Sequence, residues 1–96
     1  MNIQQLMRRA QKLQKQMAEN KIKMEGASFE GSAGGGGVKV AINGLYKMIS
    51  VFIDPAIIDK NEAELLQDMV VAAYNNAKEK ADDANRNGLG EMGGLL

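Results

Sequence analysis

Arg8, Lys12 and Lys15 follow the i, i+4, i+7 spacing that stacks side chains on one face of a helix, and Arg9 flanks them. Such a face can meet a row of phosphates, although the usual fate of a charge run is a solvated helix surface. The rest of the chain sharpens this choice. Residues 1–24 hold six bases and one acid, Glu19, a local charge of +5, whereas residues 54–96 hold nine acids and four bases, a local charge of −5. The formal net charge of zero therefore hides a basic end and an acidic end. A segregated chain can turn a positive surface toward a polyanion while its acidic end faces away. Glu19 continues the basic stripe and is placed to pair with Lys23, so the uncompensated cluster is Arg8, Arg9, Lys12 and Lys15.

The other reactive residue types argue against catalysis. There is no His and no Cys, which removes the commonest zinc ligands, thiol chemistry, disulfides and imidazole acid–base work. Ser28, Ser32 and Ser50 have no His to activate them. Gly34–Gly37 resembles a phosphate loop only superficially. No Gly-Lys-Ser or Gly-Lys-Thr follows, and a strand stands where a helix N-terminus is required. Asp82 and Asp83 are neighbours on a helix and diverge by about 100°, so they do not converge on one ion. Phe29, Tyr46 and Phe52 are too scattered to form a base-stacking platform, and core or dimer contact suits them better. The expectation is a non-enzyme with no cofactor and no metal.

The elements that position these residues follow from periodicity. Asn2 to about Met24 reads as one helix, with Ile3, Leu6, Ala10, Leu13, Met17 and Met24 on a heptad seam broken at Asn20. At 1.5 Å per residue it is roughly 34 Å long, longer than a small sheet covers, so part of the seam is expected to meet another chain. Asn20 either fixes register between partners or marks a fraying end. Gly26 ends the helix. A first strand is expected over Ala27–Ala33, then a flexible glycine turn, then a half-buried strand with Val38, Val40 and Ile42 alternating. Asn43-Gly44 predicts a two-residue type I′ hairpin turn. The return strand, Leu45–Ile53, is apolar on both faces, so it is either covered on two sides or carries a bulge near Ser50. Asp54-Pro55 starts a short helical turn. Asn61 with Glu64 predicts the cap of a second helix running to about Ala84, with Leu65, Leu66, Met69, Val70, Ala73, Ala77, Ala81 and Ala84 on its buried face.

Length and composition suit one small domain with an aliphatic, methionine-bearing core. The polar amphipathic N-terminal segment is not a signal peptide, and no stretch approaches a membrane span. The expectation is a soluble cytoplasmic protein that does not engage membranes.

With these elements in order, the chain resembles the YbaB/EbfC family of bacterial nucleoid-associated DNA-binding proteins. The matching residues are Leu6-Met7, Ala10-Gln11 and Leu13-Gln14; the glycine run into Val38-Lys39-Val40 and Asn43-Gly44; Ser50 to Ile53-Asp54-Pro55; and the run Leu65 to Ala77. Met92-Gly93-Gly94-Leu95 is similar to the family's C-terminal ends. The ordered set is the specific signal, and it covers nearly the whole chain.

The resemblance implies an α+β fold of helix, three antiparallel strands and helix, forming an intertwined homodimer whose helices project like tweezer arms. It also implies binding of double-stranded DNA, effects on gene expression and nucleoid organisation, and a place in the cytoplasm at the nucleoid, with no enzymatic activity and no small-molecule substrate. Residues 1–85 would form the DNA-binding and dimerisation domain and residues 86–96 a flexible Gly-rich tail. The expected DNA contacts are Arg8, Arg9, Lys12 and Lys15. The expected dimer interface includes Leu6, Leu13, Met17, Val51, Leu66 and Val70. Two features depart from the family pattern. Ile49 and Phe52 put apolar groups on the outer face of the last strand unless a bulge buries them, and the acid-rich second helix argues against DNA contact by Lys78 and Lys80. The alternative function is a protein–protein interaction scaffold without nucleic-acid binding.

Overall fold

A computed structural model of the chain describes residues 2–93, with side chains to Asn87. Helix α1 spans Ile3–Gly26. Its first turn is capped by Asn2, whose side-chain oxygen accepts from the Gln5 amide at 2.9 Å. Strands β1 (Phe29–Ala33), β2 (Val38–Ile42) and β3 (Met48–Ile53) form an antiparallel sheet in chain order, and helix α2 spans Ala63–Gly93. The long N-terminal helix, three-stranded sheet and C-terminal helix are those expected.

The core lies between the sheet and α2. Val38, Val40 and Ile42 of β2 are fully buried against Ala73, Ala77 and Ala81 of α2. These alanines recur every four residues and bring the helix backbone close to the sheet. The approach is tightest at Gly31 of β1, where a Cβ would overlap the Ala73 carbonyl oxygen and the Ala77 backbone. Helix α2 lies over β1 and β2 and also closes the free edge of β1. Asn76 Oδ1 accepts from the Ser32 amide at 3.1 Å, and Lys80 Nζ donates to the Glu30 carbonyl at 2.6 Å. The open edge and both faces of β3 receive no such cover: Met48 to Phe52 are exposed, and Ile53 is half-buried.

Several local expectations are corrected. The first strand begins at Phe29, and the third at Met48. Asn43-Gly44 is not a type I′ turn. The loop has three residues, closed by the Asn43 amide donating to the Lys47 carbonyl at 2.9 Å, and the residue with positive φ is Tyr46, at 67°. Asn43 Oδ1 holds the loop from inside by accepting from the Leu45 and Lys47 amides at 2.9 and 3.0 Å. A type I turn followed by a left-handed residue is the standard three-residue hairpin solution. The bulge falls at Ile49: Ala41 pairs with Ser50 and Ile42 with Met48, leaving Ile49 as the extra residue. Beyond it, Val51 and Ile53 share the α2 side of the sheet with Val40 and Val38, while Phe52 lies with Lys39 on the other face.

The turn into α2 also differs. Asp54 caps the short turn Pro55–Ile57 as expected, with Oδ1 accepting from the Ala56 amide at 2.9 Å. The next turn, Lys60–Glu62, is capped by Asp59 rather than Asn61, and α2 proper starts at Ala63. Leu65 lies off the buried face at 54% exposure. The helix continues past Ala84 to Gly93, across much of the span where a tail was expected; residues 94–96 of that span lie outside the described residues.

Candidate nucleic-acid interface

Helix α1 stands away from the body. The chain measures 69 × 17 × 16 Å with a radius of gyration of 19.2 Å, against about 12–13 Å for a compact chain of this length. Only Met24, at the root of the helix, is buried. The seam above it is open: Leu6 is 53% and Met17 56% exposed, and Leu13 is half-buried. Asn20 is half-buried on the same side.

Arg8, Arg9, Lys12 and Lys15 are all exposed on α1. At 100° per residue, Arg8, Lys12 and Lys15 centre roughly opposite the Leu6–Leu13–Met17 seam, with Arg9 at the flank. Among the described residues no acid pairs with any of the four, and the Glu19–Lys23 pair is not formed. The described ion pairs lie on α2, where Lys78 meets Asp82 at 3.0 Å and Arg86 meets Asp83. Lys78 and Lys80 are thus engaged, one by a carboxylate and the other by the β1 carbonyl of Glu30. Of the remaining expected contact residues, Val51 is 43% exposed on β3, and Leu66 and Val70 are half-buried on α2. Ile49 and Phe52 stay more than half exposed despite the bulge.

Sequence reasoning missed the polar cluster at the root of the arm. Tyr46 projects from the β2–β3 loop and donates its hydroxyl to Asp82 Oδ1 at 2.5 Å. Asn85 Nδ2 donates both to the Tyr46 hydroxyl and to the Gly44 carbonyl, at 3.0 Å each. Lys78 Nζ sits 5.5 Å from the Tyr46 ring centroid. The Tyr46 hydroxyl, with help from Lys78, holds the Asp82 carboxyl below its ordinary range. Asp82, through its hydrogen bond and charge, raises Lys78 above the ordinary lysine value. Asp82 therefore organises a loop. Among the described residues, no group of three or more potential metal ligands comes together, and no helix is long and apolar enough to cross a membrane.

The chain is similar to known proteins. The profile of the YbaB/EbfC DNA-binding family matches residues 1–96. A nucleoid-associated protein of Clostridium novyi is 41% identical over 96 residues, covering 100% of this chain and 84% of its own. A nucleoid-associated protein of Anaeromyxobacter dehalogenans is 48% identical over 84 residues, covering 88% and 82%. One of Streptococcus pneumoniae is 38% identical over 96 residues, covering 100% and 97%. The crystal structure of an uncharacterized protein from Helicobacter pylori superposes with a TM-score of 0.84 over 96% of this chain and 97% of that one, at 24% identity, and so shares the fold. Ordered motifs, fold and relatives agree that the chain belongs to the YbaB/EbfC DNA-binding family, a DNA-binding rather than an enzymatic family.

Proposed function

We propose that this protein is a nucleoid-associated, double-stranded-DNA-binding homodimer that grips the sugar–phosphate backbone with its two α1 arms. The carrying observation is the exposed basic face of Arg8, Arg9, Lys12 and Lys15 on a projecting helix, unpaired by any described acid. A rigid helix holds these charges at fixed intervals, and phosphate contacts orient a protein on the duplex without reading its sequence. The family and the nucleoid-associated names of the relatives support DNA as the partner. They also favour the nucleoid, within the cytoplasm, as the place of action, with an influence on nucleoid organisation and gene expression.

The homodimer explains two surfaces that lack cover. One is the α1 seam through Leu6, Leu13 and Met17; the other is the α2 side of β3, where Val51 is exposed while Leu66 and Val70 of α2 are only half-buried. Exposed apolar surface on this scale marks association, and a second copy covers both. A competing reading, a protein-interaction scaffold without nucleic acid, draws on Ile49 and Phe52, which remain exposed.

The test is a titration against labelled mixed-sequence duplex DNA, using the wild type and a variant with Arg8, Arg9, Lys12 and Lys15 changed to Glu. If roughly 6 to 8 phosphates are engaged per dimer, affinity falls by about 10³-fold or more between 50 and 200 mM salt. The variant should lose DNA binding while sedimentation still reports a dimer. A flat salt response, or equal binding by both proteins, refutes the electrostatic arm. Absence of binding at low salt favours the scaffold.

A further inference from the structure

Gly44 is the joint between the arm and the body. Its amide donates to the Met24 carbonyl at 2.8 Å, at the end of α1, and its carbonyl accepts from Asn85 of α2 at 3.0 Å. Backbone and side chain of Met24 press so closely on Gly44 that a Cβ there would overlap both. Met24 is the only buried residue of α1, so this contact is the helix's main hold on its own chain. The loop carrying Gly44 is in turn held to α2 through Tyr46, whose hydroxyl lies between Asp82 and Asn85. Tyr46 adopts φ 67° to reach them, a conformation that costs a non-glycine residue about 1 kcal/mol or more and persists only when its surroundings enforce it.

We infer that Tyr46, Asp82 and Asn85 are positioning residues that lock the Gly44–Met24 joint and so fix the direction in which α1 leaves the body. The lever is long. The 24 residues of α1 extend about 36 Å at 1.5 Å per residue, so a swing of about 20° at Met24 carries the tip roughly 12 Å. Arg8, the outermost basic residue, lies about 24 Å from Met24 and moves about 8 Å; phosphates along one strand are about 3.4 Å apart, so its contact shifts by two to three of them. A loosened joint leaves every charge in place and removes its register.

The link between arm direction and DNA affinity rests on the function proposed above; the joint itself does not, and the experiment separates the two. The native chain has no cysteine, so Gln4→Cys and Glu79→Cys, both at exposed positions, place spin labels on arm and body alone. Doubly labelled protein is diluted into unlabelled protein, so that distances are measured within one chain. Asn85→Asp, which keeps the shape but loses both donated bonds, and Tyr46→Phe, which loses the hydroxyl, should each broaden the arm-to-body distance distribution by several ångströms and weaken DNA binding by about 3- to 10-fold. Val38→Ala, a core change far from the joint, should lower the melting temperature without that broadening. Unchanged narrow distributions in both joint variants overturn the inference. Broadening with unchanged DNA affinity upholds the joint and overturns the arm as the DNA contact.

Discussion

Gly31→Ala gives a test of the core whose sign is decided by geometry. In an open strand position, adding a methyl group to glycine stabilises a protein by about 0.4–1 kcal/mol, because the unfolded chain loses freedom. At Gly31 the new Cβ would lie well inside van der Waals contact of the Ala73 carbonyl oxygen and the Ala77 backbone. Neither obstacle can rotate away, since both belong to the main chain of α2. Restoring contact requires α2 to retreat from β1 by roughly 1 Å, and a gap of that size forfeits a quarter to a half of the dispersion attraction between facing atoms. The loss spreads over Ala73, Ala77 and Ala81 against Val38, Val40 and Ile42. Overpacking usually costs about 1–3 kcal/mol, and the rigid obstacle places this case near the upper end, at about 3 kcal/mol. With an unfolding entropy of about 2.1 cal/mol/K per residue, that is a fall in Tm of roughly 15 °C. Urea unfolding followed by far-UV circular dichroism measures it, at one fixed protomer concentration because association shifts the midpoint. Gly26→Ala is the control: nothing lies within 4 Å of a Cβ there, and alanine in a helical turn should stabilise by about 0.5–1 kcal/mol. A loss below about 1 kcal/mol for Gly31→Ala would refute the reasoning.

Two further predictions concern polar groups. The Tyr46 hydroxyl and Lys78 depress the Asp82 carboxyl, so its contribution is complete above the ordinary carboxylate range and is lost as pH falls through its lower folded value. An acid titration should therefore show the wild type losing its stability advantage over Asp82→Asn as pH falls below the ordinary carboxylate range; parallel acid curves would show that the carboxylate is not held by its neighbours. Asp59→Ala should cost about 1 kcal/mol by removing a cap, and Asn61→Ala, which removes no described side-chain bond, should cost less than about 0.5 kcal/mol; denaturant midpoints rank the two.

Periodicity alone located the elements whose pattern is one-sided. The alternation of Val38, Val40 and Ile42 and the four-residue repeat of Ala73, Ala77 and Ala81 announce buried faces, and all six residues are fully buried. The doubled apolar faces of the third strand left two explanations, cover on both sides or a bulge near Ser50; a bulge occurs at Ile49 and the strand stays exposed. Other features depend on partners distant in the chain. Asn43-Gly44 has the composition of a two-residue turn, but Gly44 is needed for its closeness to Met24, and Tyr46 in the left-handed position places its hydroxyl to donate to Asp82 and to accept from Asn85. No local pattern encodes a bond spanning 36 residues. Asp59 and Asn61 are both acceptable caps by residue type, and the structure uses Asp59. The basic face of α1 was legible as spacing, and its separation from the body became visible only with the fold.

The uncovered strand has a consequence for survival in a crowded cell. Met48-Ile49-Ser50-Val51-Phe52-Ile53 is six residues without a charge or a proline, rich in β-formers. That is the composition of segments that stack into cross-β aggregates. It lies on an open edge of the sheet, the site from which such growth begins. Two features restrain it: the Ile49 bulge breaks the flat edge, and Lys47 and Asp54 stand as charged gatekeepers at either end. A newly made chain must still pass through a state in which this strand is bare, because α2, the next element made, crosses to β1 and β2. In the proposed homodimer, prompt pairing with the second copy would protect the protein from its own third strand.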